Sequence, residues 1–182
     1  MRELSLLILD LLGNSLEAQA SRIELSVFES VERNCFEVII ADNGRGMTAT
    51  VAAQALNPFF TSRRTRRVGL GLPLANELCV RCGGALHLES APCIGTTLRL
   101  SMQHSHLDRP PMGDIAGTLM LTCLTNPALH LIYRHQTDQG HYLFDSEATI
   151  QQLGFDFRTD HTSYQYIKEM VSEHLELIGA SR

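Results

Sequence analysis

Three short stretches carry polar residues at spacings that could act together on a phosphate-bearing ligand. Asp10, Asn14 and Glu17 stand at i, i+4 and i+7, so on a helix they share one face. A carboxylate there can serve as a base, and an amide oxygen can ligate Mg²⁺, which itself bridges phosphate oxygens. The run Asp42-Asn43-Gly44-Arg45-Gly46-Met47 sets a carboxylate before two glycines. Such a carboxylate can accept from an exocyclic amino group such as that of adenine, and residues lacking Cβ let the backbone come close to a ring. Val68-Gly69-Leu70-Gly71-Leu72-Pro73 opens a further helix, with proline tolerated in its first turn. Exposed N–H groups and the helix dipole favour a phosphate there. A basic loop with Arg63, Arg64, Arg66 and Arg67 lies just before it. Each signal is common alone; their order and spacing are what make them specific.

The elements that must position these residues can be read from the hydrophobic pattern. Leu4, Leu7, Ile8, Leu11 and Leu12 predict a helix over 3–17 with a core-facing stripe. Alternation at Ile23, Leu25 and Val27, and again at Phe36, Val38 and Ile40, predicts two strands. Their turn falls near Glu32 to Asn34, and the second strand runs straight into Asp42. A short helix is expected from Thr48 to Leu56, closed by Asn57-Pro58. The helix beginning near Gly71 should stop at Gly83-Gly84. Strands are expected at 85–90 and 96–102. Residues 103–116 are polar and contain prolines, so they are assigned as a linker between a domain at 1–102 and a small α+β extension at 117–182. Apolar stretches at 117–124, 129–134 and 141–144 suggest an antiparallel meander. Helices near 147–153 and 163–178 complete the chain, the last with Ile167, Met170, Val171, Leu175 and Ile178 on one stripe.

Composition sets the class. The chain has 182 residues, 44% hydrophobic and 19% charged, an ordinary globular balance. Its net charge of −5 argues against broad binding to a nucleic-acid backbone. The apolar start contains Asp10 and lacks a small-residue cleavage site, so it reads neither as a secretion signal nor as a membrane span. Five cysteines, an odd number, are expected to be reduced thiols in the cytoplasm. Cys79 and Cys82 form a CxxC, which its helical spacing with Leu74 and Leu78 assigns to the core rather than to a metal.

The motifs together resemble a known family. LLGNSLEA looks like the asparagine box of histidine kinases, gyrase and the mismatch-repair ATPases, and ADNGRGM is similar to their first glycine box. NPFFTS resembles the phenylalanine box of histidine kinases. VGLGLPLANELCVRCGGALHLESAPCIGTTLRL is similar to their second glycine box and the rest of the domain, including its closing Gly-Thr-Thr. The resemblance covers residues 4–102. It implies the two-layer α/β sandwich called the Bergerat fold, a mixed sheet with helices on one face, here extended by further strands and helices. It implies ATP and Mg²⁺ as ligands, with Asn14 holding the metal and Asp42 bonding the adenine amino group. Gly44, Gly46 and Met47 would shape the adenine pocket; Gly69, Leu70, Gly71 and Leu72 would lie under the phosphates; Thr96 or Thr97 would stand near the adenine. Phe60 and Arg63 fall where the mobile ATP lid sits, and the lid is short, as in histidine kinases.

Asp10 occupies the position where relatives that hydrolyse ATP or phosphorylate serine carry Glu, so it is the candidate general base. The sequence opens directly into the asparagine-box helix, with no phosphoacceptor hairpin or strand before it. Autophosphorylation on a histidine in cis is therefore not expected, and His104 and His106 lie in the linker. The absent first strand leaves a sheet edge, which the strands of 117–144 are expected either to cover or to use for dimerisation. The leading reading is a cytoplasmic kinase that transfers the γ-phosphate of Mg-ATP to a separate protein. An ATPase switch and a non-hydrolysing sensor or adaptor are the alternatives.

Overall fold

A computed structural model describes residues 2–56, 71–159 and 161–181. Helix α1 (Leu4–Glu17) leads to the hairpin β1 (Arg22–Ser30) and β2 (Cys35–Asp42), then α2 (Ala49–Gln54) and α3 (Gly71–Arg81). The hairpin β3 (Leu86–Ala91) and β4 (Gly95–Met102) comes next, then α4 (Ile115–Thr125). Strands β5 (His130–Gln136) and β6 (His141–Asp145) succeed it, and α5 (Ser146–Leu153), a 3₁₀ turn at Phe157–Thr159 and α6 (His161–Leu177) close the chain. The strands form a six-stranded sheet in the order β3-β4-β2-β1-β5-β6. β5 runs parallel to β1 and the other pairs are antiparallel, so the sheet is mixed.

Alternation decides which face is covered. Ile23, Leu25 and Val27 of β1, Phe36, Val38 and Ile40 of β2, and Leu98, Leu100 and Met102 of β4 are buried. They pack in one core with Leu4, Leu7, Ile8, Leu11 and Leu12 of α1, with Ala75 and Leu78 of α3, and with Leu119 of α4 and Val171 of α6. The intervening residues form the other face, where Arg22 and Arg134 flank Glu24 and Arg99 meets Glu37. The expected sandwich, a mixed sheet with helices on one face, is the observed one.

The stretch at 117–124 is a helix and not a strand. Its apolar residues are continuous enough to satisfy either assignment, because leucines stand on both sides of α4, Leu119 buried and Leu121 and Leu124 exposed. The deciding features are local. Asp114 caps the helix, its carboxylate accepting from the Gly117 N–H at 2.7 Å, and Asn126-Pro127 stand just past the last turn. The expected meander is accordingly reduced to the hairpin β5–β6. That hairpin does cover a sheet edge: β5 lies along β1 from Arg22↔His130 to Phe28↔Gln136. Helix α4 makes the crossover that a parallel neighbour demands.

The far end of the sheet is closed around one buried carboxylate. Glu29 continues the core-facing row of β1 and is 3% exposed. Its Oε1 lies 2.9 Å from His135 Nε2 and accepts the Ser181 N–H at 2.7 Å. Its Oε2 accepts the Ser181 hydroxyl at 2.5 Å and lies 3.4 Å from His104 Nε2. The Tyr133 hydroxyl stands 2.6 Å from the other His135 nitrogen. Burial pushes the Glu29 carboxyl up, but the bonds from His135 and Ser181 outweigh it and hold the group at about 2, against an ordinary 4.5. A carboxyl depressed in the fold stabilises it above its unfolded value, and that contribution is lost as the group protonates. Acid titration should therefore remove about 3 kcal/mol of stability between about pH 4.5 and pH 2. In Glu29→Gln this part of the pH dependence, read by denaturant unfolding at each pH, should be missing.

Candidate nucleotide site

Burial of the leucine stripe of α1 fixes the rotation of the helix and leaves Asp10 and Asn14 half-buried on its flank. The first residue of α3 lies against that flank. A Cβ on Gly71 would stand 2.1 Å from Asp10 Oδ2 and 3.8 Å from Asn14 Nδ2, so any larger residue there would make the Asp10 side chain move. Leu72 beside it is partly buried against the core. The start of a helix, a carboxylate and an amide thus meet at one place. A phosphate drawn to the first turn of α3 would lie within reach of both α1 side chains.

The second part of the site is built where β2 ends. Asp42 sits in the helix-facing row beyond Ile40, and its carboxylate is fixed from two sides. Oδ2 accepts the hydroxyl of Ser15 at 2.6 Å, and Oδ1 accepts the Gly44 N–H at 2.9 Å. Ser15 is the neighbour of Asn14, so α1 is tied directly to the end of β2. Register places Thr96 opposite Asp42, and alternation gives the two the same face. Thr97, one residue on, falls on the opposite face of the sheet. Ser90 of β3 lies 2.9 Å from Thr96 Oγ1 and accepts the Met47 N–H at 2.8 Å.

The glycines of this turn are explained first by the chain's own backbone. Gly46 has φ +63°, and a Cβ there would lie 1.9 Å from Ala91 O. A Cβ on Gly44 would meet Ala18 at 2.9 Å. The turn is pinned between the end of α1 and the β3–β4 turn, with Arg45 N–H donating to Ala18 O and Cys93 N–H to Arg45 O. Gly95 lets the β3–β4 turn approach Asp42 O in the same way.

Of the residues picked from the sequence, Asp10, Asn14, Gly71 and Leu72 are gathered at the α1–α3 contact. Asp42, Gly44, Gly46, Met47 and Thr96 are gathered at the end of β2. Phe60, Arg63, Gly69, Leu70 and the rest of the arginine run lie outside the described residues. Two side chains were missed, Ser15 and Ser90. Each carries a legible signal: Ser15 continues the buried stripe four residues after Leu11, and Ser90 continues the inward row of Leu86 and Leu88. A hydroxyl on an inward row needs a partner, and both have one. Cys79 and Cys82 are core thiols with Leu78, while Leu74 is exposed. Burial pushes Cys79 up to about 12 and Cys82 upward, which makes them poor nucleophiles and metal ligands. Among the described residues, no group of three or more His, Cys, Asp or Glu side chains could hold a metal ion. No described helix is long and apolar enough to cross a membrane.

The chain is similar to several known proteins. The sensor histidine kinase YvrG of Bacillus subtilis (strain 168) is 30% identical over 95 residues, covering 50% of this chain and 16% of that protein. The C4-dicarboxylate transport sensor protein DctB of Rhizobium meliloti (strain 1021) is 33% identical over 102 residues, covering 53% of this chain and again 16% of the relative. The chain therefore spans about a sixth of the length of these two relatives. A crystal structure of the N-terminal domain of a DNA repair protein shares the fold, with a TM-score of 0.53 at 16% identity, over 79% of this chain and 51% of that one. The family model described as histidine kinase-, DNA gyrase B- and HSP90-like ATPase matches residues 2–106, and on that match the chain belongs to this family.

Proposed function

We propose that this chain binds Mg-ATP between α1, the end of β2 and the start of α3, and transfers its γ-phosphate to a separate partner protein. The observation that carries the reading is the meeting of Asp10, Asn14 and the backbone of Gly71. These residues fit a magnesium–phosphate group: they supply a neutral oxygen ligand, a carboxylate and a helix start, with no side chain on Gly71 to fill the space. Asn14 would hold Mg²⁺, which when bound neutralises charge on the phosphate oxygens. Asp42, already fixed by Ser15 and Gly44, retains acceptor capacity for the adenine amino group. Thr96 is held beside it by Ser90. Gly71 and Leu72 would border the phosphates; Gly69, Leu70, Phe60 and Arg63 are assigned to the same site from the sequence.

For the chemical step, Asp10 takes the proton of the partner's acceptor group while the acceptor bonds to the γ-phosphorus. The bond to the β–γ bridging oxygen breaks in the same step, and ADP leaves. The contribution of α1 is position and charge, the terms that dominate phosphoryl transfer. That two relatives are named as sensor proteins supports a signalling partner. All five cysteines are unpaired, which supports a reducing, cytoplasmic compartment.

Asp42→Asn loses one of the two carboxylate oxygens that Ser15 and Gly44 hold, and should weaken ATP binding by about tenfold to a hundredfold in calorimetry. Unchanged affinity would remove Asp42 from the site. Asp10→Asn should leave ATP affinity near wild type and lower turnover by about a hundredfold or more. Turnover equal to wild type would exclude Asp10 as the base. Gly71→Ala forces Asp10 from its place and should lower turnover in the same way; a fully active Gly71→Ala protein would mean that this contact does not matter. Labelled γ-phosphate separates the reactions: label on a partner supports transfer, and release as free phosphate with no labelled partner replaces it by an ATPase switch. Tight binding with neither outcome leaves a nucleotide sensor.

A further inference from the structure

Helix α1 has no side-chain cap of its own at its start, since Glu3 makes no capping bond. First-turn N–H groups without a partner destabilise a helix end that is buried. Here they are met by the segment before α4. The Leu4 N–H donates to Pro111 O at 2.9 Å, and the Ser5 N–H donates to Met112 O at 2.8 Å. The Thr118 hydroxyl of α4 reaches Ser5 O at 3.3 Å. Gly113 closes the contact with φ +74°; a Cβ there would lie 2.4 Å from Glu3 Oε2 and 2.7 Å from Ser5 Oγ. Met112, Ile115 and Leu119 are buried in the same core as Leu4 and Ile8.

We propose that residues 111–118 are a clamp that positions the nucleotide helix, with Gly113 and Thr118 as positioning residues that set where α1 holds Asp10 and Asn14. The inference rests on the nucleotide-site reading and gives the segment after residue 102 a part in it. Asn14 lies ten residues beyond the clamp, about 15 Å along the helix. A tilt of about 4° at the first turn therefore moves Asn14 by about 1 Å, a displacement that can cost about a hundredfold in rate. A 280 Å³ cavity borders Gly113, Asp114, Ile115 and Ala116, and Leu175 and Ser181 form part of its other wall. The segment is thus held on the α1 side by these bonds and on the α6 side by the ion pair of Asp114 with Lys168, 2.7 Å apart.

The test uses the full chain. Thr118→Val removes the bond to Ser5 at nearly constant shape, Thr118→Ser restores it, and Gly113→Ala crowds the first turn. Phe157→Leu, a core change in the 3₁₀ turn, controls for general destabilisation. ATP affinity, turnover and amide exchange at Leu4 and Ser5 are measured where all variants are folded. Thr118→Val and Gly113→Ala should speed that exchange by tenfold or more and lower ATP affinity or turnover by about tenfold. Thr118→Ser and Phe157→Leu should stay near wild type. Equal losses in Phe157→Leu, or faster exchange with unchanged binding and turnover, would overturn the clamp while leaving the nucleotide reading intact. If the wild-type protein binds no ATP, both readings fall together.

Discussion

The approach of the Gly71 backbone to Asp10 is the constraint on which the site depends. Two helices can bring their polar faces this close only if one contributes no side chain at the contact. A carboxylate beside a helix N-terminus is electrostatically favoured, so the contact suits the unliganded chain as well. An anionic ligand entering there meets the same dipole and the same space. The geometry therefore ties the position of the Asp10 carboxylate to one missing Cβ, on a residue that makes no polar side-chain contact of its own.

Around that contact the sheet works as a ruler. Antiparallel pairing of β1 and β2 puts Asp42 at one end of the core-facing surface and Glu29 at the other. The two carboxylates share a row direction but have different surroundings. Asp42 is fixed by Ser15 and Gly44 at the end where the glycine turns gather. Glu29 is enclosed by His135, His104 and the C-terminal Ser181, and it ties three separate segments to β1. The buried Glu29 cluster stands at the far end, and the candidate chemistry at the near end. Such a division is expected when a rigid scaffold carries functional turns at its margin.

Among the described residues, many hydrogen bonds join the part after residue 102 to the rest. β5 adds a parallel strand to β1, Pro111 and Met112 satisfy the start of α1, and Ser181 returns to Glu29. A strand added beside β1 also covers its edge and moves the end of the sheet to β6. The helix that carries Asp10 and Asn14 is thereby braced at its first turn by one half of the chain and tied near its last turns, through Ser15, to the hairpin of the other half.

The local pattern in the sequence carried most of the first half of the fold. The stripe of α1, the alternation of β1, β2, β3 and β4, and the stop at Gly83-Gly84 all come from periodicity and turn chemistry. These act within a few residues of each other, which is why they are legible. The asparagine and glycine motifs likewise marked the residues that the fold gathers. Where apolar residues also stand on the exposed side, periodicity fails: α4 exposes Leu121 and Leu124 while it buries Leu119 and Met120, and its run at 117–124 satisfies a strand as well as a helix. The strands after residue 102 were read as antiparallel; β5 and β6 are, but β5 pairs parallel with β1, because parallel pairing depends on what crosses over between two strands. By itself the sequence determined which side chains face inward and which residues could carry chemistry. Only the tertiary structure decided that the Asp10 carboxylate lies against the backbone of Gly71, that Ser15 holds Asp42, that Thr96 rather than Thr97 shares its face, and that Pro111 and Met112 cap α1. Each of these is a contact between residues distant in the chain, set by register and helix packing rather than by any local preference.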